Sequence, residues 1–226
     1  MERVNSIFKK KRTGDLLPVI KLGAIPIYVS NLHNLSPGRW LDDECMNGYI
    51  WLLQARHRTA LGVNPAAAKL YFFNTFFFKR LMFLDEYSYD VVRRWTKNVD
   101  IFAMDTIFIP INLRLHWFLV VVYVGTDDGT VSVYDSLGSP DGSIPTSIRE
   151  WLIDEAKDKD KPQREWSIEY PKCRLQENSD DCGVLTLKNI DFIARGLDLK
   201  SMRRSTAYYR CRIAAELLAG CVGGVG

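Results

Sequence analysis

Hydrophobic and polar positions along the chain recur with two different periods, and each period predicts a type of secondary structure. Four segments carry apolar side chains at helical spacing and are predicted as helices: 42–58, 147–159, 183–195 and 208–218. Five apolar or alternating runs are predicted as strands: 25–29, 106–111, 116–124, 130–134 and 166–170. The run 116–124 is apolar almost throughout, which is typical of a strand buried on both faces.

The remaining segments are assigned from local composition. Aromatic side chains are dense in 70–84, and we interpret this segment as a helix with one face in the core. Segment 91–96 is predicted as a short helix or loop. Proline, glycine and aspartate predict turns at 36–38 and 127–129, and the second turn joins two strands into a hairpin.

The order of these elements predicts an α+β fold, with a central, mostly antiparallel sheet flanked by helices. No change of composition marks a linker, so we expect one domain over residues 20–219. Residues 1–19 are interpreted as a basic N-terminal tail and 220–226 as a flexible, glycine-rich tail.

Composition narrows the possible functions. Hydrophobic residues make up 47% and charged residues 25% of the 226 residues, which is typical of a globular protein. The formal net charge is only +3, from 30 Lys and Arg against 27 Asp and Glu. We therefore expect no nucleic-acid binding through a basic surface.

The sequence favours an intracellular location. The longest aliphatic run, 118–124, is far shorter than the roughly 20 residues that span a membrane, and the basic N-terminus lacks a following apolar signal segment. Five cysteines fit neither a disulfide framework nor a zinc site. We expect a reducing compartment, the nucleus or the cytoplasm. The basic stretch 9–12 is either a solvated terminus or a nuclear import signal.

Cys182 is the candidate nucleophile. It follows a polar stretch, 176–181, and stands where the predicted helix 183–195 begins. Unpaired N–H groups and the helix dipole lower the pKa of a thiol at such a position and favour the reactive thiolate. The alternative is a small, buried, apolar cysteine.

A nucleophilic cysteine needs a base, and the chain contains His33, His57 and His116. His33 is assigned to a surface loop and His57 to the charged end of a helix, whereas His116 begins the buried strand. In the predicted hairpin, Asp135 at the end of the next strand lies alongside His116, as a carboxylate that orients an imidazole must. The alternatives are a packed core histidine and an aspartate that caps a turn.

Gln176 lies in the polar stretch before Cys182. Its side-chain amide is suited to join the Cys182 backbone N–H in stabilising an oxyanion.

The residues identified so far form part of an ordered set that resembles the ubiquitin-like-specific cysteine proteases, the SUMO (sentrin)-specific protease family. The resemblance covers 40–183 and rests on segments in family order: 40–44 (WLDDE), 73–78 (FNTFFF), 92–102 (VRRWTKNVDIF), 109–112 (IPIN), 116–117 (HW), 134–136 (YDS) and 176–183 (QENSDDCG). After Cys182 and Gly183 the chain departs from most members, which continue with an aromatic residue and another cysteine.

The resemblance implies a papain-like cysteine protease fold and assigns roles to the matching residues. It implies His116 as the general base, Asp135 as its orienter, Cys182 as the nucleophile and Gln176 as the oxyanion donor. Trp40 and Trp117 match the two tryptophans that enclose the Gly-Gly end of the modifier. Asp43, Asn74 and Phe76 match positions that contact the modifier surface. For the aromatic residues the alternative is ordinary core packing.

The expected function is therefore a SUMO-specific isopeptidase. It would cut after the C-terminal Gly-Gly of SUMO, releasing SUMO from lysines and maturing SUMO precursors. Its partners would be SUMO and SUMO-conjugated proteins, and we expect a monomer that needs no metal or other cofactor. Three alternatives stay open: a protease for ubiquitin or another ubiquitin-like modifier, a non-cleaving scaffold that binds a modifier, and an acyltransferase with the same triad.

Overall fold

A computed structural model describes residues 2–9, 18–125, 128–138 and 141–223 of the chain. Parts of the predicted basic stretch (10–12), of the predicted turn at 127–129 (127) and of the predicted glycine-rich tail (224–226) lie outside these ranges. The chain divides into two compact units. Met1–Pro65 and Gln176–Gly226 form a helical unit, and Ala66–Leu175 form a sheet unit. The single domain over 20–219 stays a prediction.

Eight α-helices and nine β-strands are formed by the described residues. The helices are α1 Glu2–Lys9, α2 Val29–His33, α3 Asp43–Val63, α4 Phe76–Leu81, α5 Tyr89–Val92, α6 Ser143–Asp158, α7 Cys182–Ala194 and α8 Thr206–Ala219. The strands are β1 Ile20–Leu22, β2 Ile25–Ile27, β3 Leu70–Phe72, β4 Met82–Phe83, β5 Glu86–Tyr87, β6 Thr106–Leu113, β7 His116–Tyr123, β8 Asp128–Tyr134 and β9 Glu165–Glu169. Short 3-10 helices occur at Ile101–Ala103 and Leu199–Ser201.

The sheet unit is built on a five-stranded sheet in the order β3-β6-β7-β8-β9. Strands β7 and β8 are antiparallel, which confirms the predicted hairpin, and β6 and β7 are antiparallel as well. Both outer strands join in parallel, so the sheet as a whole is mixed. Helix α6 is the crossover that a parallel β8–β9 pair requires.

Aromatic side chains fill the core of the sheet unit. The rings of Phe73 and Phe77 stack 3.8 Å apart, and the edge of Trp151 from α6 meets both. Segment 70–84 does not form the predicted helix. It supplies strand β3, helix α4 and strand β4, because Leu70, Tyr71 and Phe72 pair with β6 at the edge of the sheet.

The helical unit is organised around α3. Asp42 caps this helix by accepting a hydrogen bond from the Cys45 N–H (2.9 Å). Gly48 allows close packing, since a Cβ there would lie 2.8 Å from Cδ1 of Ile27. Around Tyr49 and Lys188, buried polar groups join α3, α7 and α8.

At its N-terminus the chain differs from the expected tail. Residues Glu2–Lys9 form helix α1, and the side chains of Val4 and Ile7 are buried. Two apolar positions three residues apart were a helical signal that the basic composition of the segment obscured. No helix formed by the described residues is long and apolar enough to cross a membrane.

Candidate active site

His116 and Asp135 lie together in the sheet unit. A tight turn through Arg114 and Leu115, both with positive φ (52° and 65°), joins β6 to β7 and makes His116 the first residue of β7. Asp135 directly follows β8, whose last residue, Tyr134, pairs with Leu119 of β7. The His116 Nε2 atom lies 2.6 Å from Asp135 Oδ1. The proximity that the hairpin predicts is confirmed.

Asp135 is held as a carboxylate. Burial favours its neutral form, but hydrogen bonds from His116 and from the Leu137 N–H (2.9 Å) outweigh this effect and lower the pKa of Asp135 below its usual value. An ionised Asp135 accepts a hydrogen bond from the Nε2–H of His116. This selects the tautomer in which Nδ1 is the basic ring nitrogen.

A cavity of about 340 Å³ adjoins Asp135 within the sheet unit. Its walls include Gly138, Tyr170 and Leu175. The thiol of Cys173, also in the wall, donates to the Asp135 backbone carbonyl at 3.4 Å. The cavity could not be predicted from the sequence, because its two walls are distant in sequence and neither contains a recognisable motif.

Cys182 is the first residue of helix α7 in the helical unit, as predicted within one residue. Its side chain is buried, with 2% exposed. The Asp181 side chain does not cap the helix, and the Asp181 carbonyl accepts from the Leu185 N–H (3.0 Å). Cys182 therefore lies in the first turn of a helix, where unpaired backbone N–H groups and the helix dipole favour a thiolate.

The loop before Cys182 is ordered by Asn178. Its Oδ1 atom accepts hydrogen bonds from the backbone N–H groups of Asp180 (3.1 Å) and Asp181 (3.0 Å). Gln176 is half-buried at the start of this loop, and its Nε2 atom donates to the Asn178 carbonyl at 2.7 Å. Both Gln176 and Cys182 are thus fixed by one short polar segment.

The two tryptophans expected to enclose the Gly-Gly end of the modifier differ in exposure. Trp40 belongs to the helical unit and is 49% exposed, yet its Nε1–H donates to the Ser179 carbonyl at 2.8 Å. This hydrogen bond ties an exposed indole to the loop that leads into Cys182. Trp117 belongs to the sheet unit, in β7, and only 2% of it is exposed.

The three residues expected to contact the modifier surface lie at, or two residues before, the start of a helix. Asp43 is the first residue of α3 and is half-buried. Asn74 is exposed, and its Oδ1 atom accepts from the Phe76 N–H (2.9 Å). Phe76 begins α4 with 45% of its surface exposed, as much as Phe83 later in the same segment.

Each unit therefore holds part of the predicted site. The sheet unit carries His116, Asp135, Trp117, Asn74 and Phe76, and the helical unit carries Cys182, Gln176, Trp40 and Asp43. The approach of Cys182 to His116 stays a prediction.

The other two histidines have different surroundings. The assignment of His33 to a surface loop is wrong, because His33 ends helix α2 and is buried. Leu32 and Leu35 beside it are fully buried where α2 packs against α1 and α3, a tertiary effect that the local sequence does not reveal. His57 lies in α3, where burial and the neighbouring cations Arg56 and Arg58 lower its pKa.

Solved structures identify the fold as that of a Ulp1 protease domain. The Ulp1-like SUMO protease catalytic domain of Chaetomium thermophilum superposes with a TM-score of 0.78 and 26% identity, over 99% of this chain and 89% of that one. The C-terminal Ulp1 protease domain in complex with Smt3, the yeast ortholog of SUMO, gives a TM-score of 0.76 at 24% identity, over 97% of this chain and 93% of that one.

Sequence comparison then gives the family. Residues 39–223 match the Ulp1 protease family, C-terminal catalytic domain, and the chain belongs to this family. Ubiquitin-like-specific protease 1A of Arabidopsis thaliana is 35% identical over 90% of this chain and 41% of that protein. A sentrin-specific protease of Caenorhabditis elegans is 30% identical over 87% of this chain and 27% of that protein. The chain thus spans less than half the length of both relatives.

Proposed function

We propose that this chain is a cysteine protease that cuts after the C-terminal Gly-Gly of SUMO. The observation that carries the proposal is the 2.6 Å contact between His116 and Asp135 in a chain of the Ulp1 protease family. Relatives named as ubiquitin-like-specific and sentrin-specific proteases support the substrate class. The reaction would release SUMO from lysine side chains, and the same cut would mature a SUMO precursor.

Catalysis would begin with proton transfer from the Cys182 thiol to Nδ1 of His116. Asp135 holds Nε2, so it fixes the ring and stabilises the imidazolium that forms. The thiolate then attacks the carbonyl carbon of the terminal glycine, and the imidazolium returns its proton to the departing lysine amine. Water, deprotonated by His116, hydrolyses the thioester and releases the SUMO carboxylate and the thiol.

The oxyanion that forms during attack would be stabilised by Gln176 and the Cys182 N–H. The Gln176 amide nitrogen carries two hydrogens. One donates to the Asn178 carbonyl and orients the side chain, and the second would donate to the oxyanion. A donor that is already oriented costs little reorganisation during the reaction.

Specificity for a Gly-Gly end would come from Trp40 and Trp117. A segment without side chains can pass between two flat rings, whereas a bulkier residue would be excluded. Asp43, Asn74 and Phe76 would contact the folded part of SUMO. The exposure of Phe76 supports this role, since an exposed aromatic ring is a typical anchor at a protein interface.

We also propose that the protein acts as a monomer in the nucleus or the cytoplasm. The basic stretch 9–12 supports nuclear import, and a thiol nucleophile is suited to a reducing compartment. Imaging of a fluorescent fusion, with and without substitution of these four residues by alanine, tests the import role.

Parallel assays test the proposed reaction. Fluorogenic SUMO and ubiquitin substrates, a SUMO precursor and a SUMO-conjugated protein are incubated with the purified chain. We expect cleavage of the SUMO substrates at a rate at least about 100-fold above that of ubiquitin. Faster cleavage of the ubiquitin substrate would show that ubiquitin, and not SUMO, is the preferred modifier. Lysine acetylation from a thioester donor, without cleavage, would show that the protein is an acyltransferase. Binding of SUMO without either reaction would show that it is a non-cleaving scaffold.

A further inference from the structure

Arg210 is a buried arginine whose hydrogen-bonding capacity is fully used. It lies in α8 of the helical unit, and only 1% of it is exposed. A guanidinium has five N–H donors. Nε donates to Asp181 Oδ1 (2.7 Å), Nη1 to the carbonyls of Asn34 (3.3 Å) and Ser36 (3.1 Å), and Nη2 to the Asp180 carbonyl (2.6 Å) and Asp180 Oδ2 (3.1 Å).

These five acceptors belong to two loops that lead to different parts of the proposed site. Asn34 and Ser36 belong to the loop that precedes Trp40, and Asp180 and Asp181 end the loop that precedes Cys182. One rigid, planar group therefore fixes the geometry of both loops relative to α8.

Two further hydrogen bonds join the loops directly. The Gly38 N–H donates to Asp180 Oδ2 (3.0 Å), the oxygen that Arg210 also contacts. Trp40 Nε1 donates to the Ser179 carbonyl (2.8 Å). Gly38 has a φ of +76°, a conformation that glycine adopts readily and that turns the chain towards Trp40. The position of the Trp40 indole relative to Cys182 thus depends on the Arg210 clamp, which we define as Arg210 with its acceptors in these two loops.

We propose that Arg210 is a positioning residue of the active site, which sets the spacing between the Trp40 indole and the Cys182 thiol. The inference rests on the proposed function, because it gives Trp40 and Cys182 the roles of substrate clamp and nucleophile. Arg210 touches neither the substrate nor the reacting atoms in this proposal. It acts through the two loops that hold those residues.

The clamp also has an electrostatic consequence. Asp180 and Asp181 immediately precede Cys182, and two carboxylates close to a thiol disfavour its thiolate. Arg210 pairs with both, at 3.1 Å and 2.7 Å. Burial opposes ionisation of Asp181, but hydrogen bonds from Thr206, Asn178 and Arg210 lower the pKa of this carboxyl below its usual value, so its charge persists at neutral pH and needs a partner. Loss of the guanidinium would therefore alter both the position and the ionisation of the nucleophile.

Arg210→Lys is the most direct test, because lysine keeps the charge but supplies three donors from a single nitrogen. We expect kcat/KM for a fluorogenic SUMO substrate to fall at least about 30-fold, through a higher KM as well as a lower kcat. Alkylation of Cys182 by iodoacetamide, followed by peptide mass spectrometry, gives a readout that does not depend on cleavage. The pH at which the rate of Cys182 alkylation is half of its maximum should be higher in Arg210→Lys than in wild type.

Lys188→Met is the matched control. Lys188 is another buried cation of the helical unit. It pairs with Asp191 (2.5 Å), which belongs to neither of the two loops that Arg210 contacts. This variant should lower the thermal unfolding midpoint while leaving kcat/KM and the Cys182 alkylation profile within about threefold of wild type, since it does not alter the clamp. Asp180→Asn is a second clamp variant, at a less buried position, and should raise KM several-fold with little loss of stability.

The positioning role is overturned if folded Arg210→Lys and Asp180→Asn keep wild-type kcat and KM. It is also overturned if Lys188→Met reduces activity as much as Arg210→Lys does, since a general loss of stability would then explain both. Absence of cleavage by the wild-type chain would instead refute the proposed function, and the alkylation profiles would still test the clamp.

Discussion

The Nε2 atom of His116 lies 2.6 Å from Oδ1 of Asp135, although the two residues begin and follow different strands of the sheet. The antiparallel register of β7 and β8 brings them together, and the Leu137 N–H holds the same carboxylate oxygen. Because Asp135 is ionised, the pair can orient the imidazole and stabilise its protonated form.

Asp135→Asn tests this orienting role. An asparagine of the same shape keeps the contact but can also donate to Nε2, which favours the wrong tautomer of His116. We expect kcat to fall by about 10²- to 10⁴-fold, with KM for a fluorogenic SUMO substrate nearly unchanged. Steady-state kinetics of the purified variant measure both values.

Some activity should remain in Asp135→Asn, because His116 itself is intact. A variant as active as wild type would show that Asp135 is not the orienter. His116→Gln is the companion variant and should lose more activity than Asp135→Asn, since it removes the proposed base.

Cys182→Ala tests the nucleophile. Removal of the sulfur should lower cleavage by at least about 10³-fold, since no other group can form the thioester. Binding of SUMO, measured by isothermal titration calorimetry, should persist because Cys182 is buried and contributes little surface. Cys173→Ala is the control for a second thiol in the chain, and its cleavage rate should stay within about tenfold of wild type.

Cleavage by Cys182→Ala at the wild-type rate would remove Cys182 from the mechanism. Loss of SUMO binding together with cleavage would instead indicate that the substitution disturbs the loop 176–181.

The elements with a clear hydrophobic period could be predicted from the sequence. Helix α7 and strands β6 and β7 lie within two residues of their predicted ranges, because apolar side chains mark both of their ends. Helix α3 begins within one residue of its predicted start but continues five residues past the predicted end at 58, where its side chains are mostly exposed and show no hydrophobic period. Cys182 could be placed at a helix start for the same reason. The approach of Asp135 to His116 followed from hairpin geometry alone.

Features that depend on distant partners could not be predicted. Segment 70–84 has no decisive period, and its first three residues become a strand only because β6 offers a free edge. His33 lies beside both polar and apolar residues in sequence, and it is buried because helix α2 packs against α1 and α3. Arg210 looks like any helical arginine until its acceptors at 34, 36, 180 and 181 are seen together.

Trp40→Ala tests the substrate clamp. Almost half of Trp40 is exposed, so its truncation should change the thermal unfolding midpoint little. Loss of a tryptophan at a binding hot spot costs about 2 kcal/mol or more, which corresponds to about a thirtyfold higher KM for the SUMO substrate. Trp40→Phe retains a flat ring but loses the hydrogen bond to Ser179, and its KM should lie between those of wild type and Trp40→Ala.

An unchanged KM in Trp40→Ala would assign Trp40 to packing of the loop alone. A large drop in the unfolding midpoint would support the same conclusion.

Asp191 should make the stability of the protein depend on pH in the acidic range. It is buried, which favours its neutral form, but Lys188 (2.5 Å) and Arg56 (2.6 Å) outweigh burial and lower its pKa below the usual value. The folded protein therefore stabilises the ionised form of Asp191 more than the unfolded chain does. This contribution is complete above the unfolded-state pKa of about 3.9 and is lost as the pH falls through the lower folded-state value.

Asp191→Asn should destabilise the protein by about 3–5 kcal/mol at pH 7, because Lys188 keeps its charge without its carboxylate partner. The difference in unfolding free energy from wild type should begin to shrink below about pH 3.9, where the carboxylate of the unfolded chain takes up a proton, and should be lost as the pH falls through the lower pKa of Asp191 in the folded protein. Urea titrations at pH 7, 5 and 3 measure this difference. A difference that stays constant across the three pH values would exclude Asp191 as the titrating group.

Gly129 and Gly62 should respond in opposite directions to the same substitution. A Cβ at Gly129 would overlap the Trp166 ring, which covers this glycine from the neighbouring strand β9. At Gly62, near the end of α3, a Cβ would meet open space and φ is not positive. Gly129→Ala should therefore destabilise the sheet unit by about 1–3 kcal/mol, as overpacking of a filled core does. Gly62→Ala should stabilise helix α3 by about 0.5–1 kcal/mol, because alanine has the higher helix propensity.

Urea denaturation of the two variants measures these changes, and activity then links the packing to the site. Strand β8 contains Gly129 and ends one residue before Asp135, so displacement of β8 should move the carboxylate away from His116. We expect Gly129→Ala to lower kcat even where the protein is fully folded, and Gly62→Ala to leave kcat unchanged. If Gly129→Ala proved as stable as wild type, the Trp166 ring would have to move without cost, and β8 would not be the rigid support that holds Asp135 beside His116.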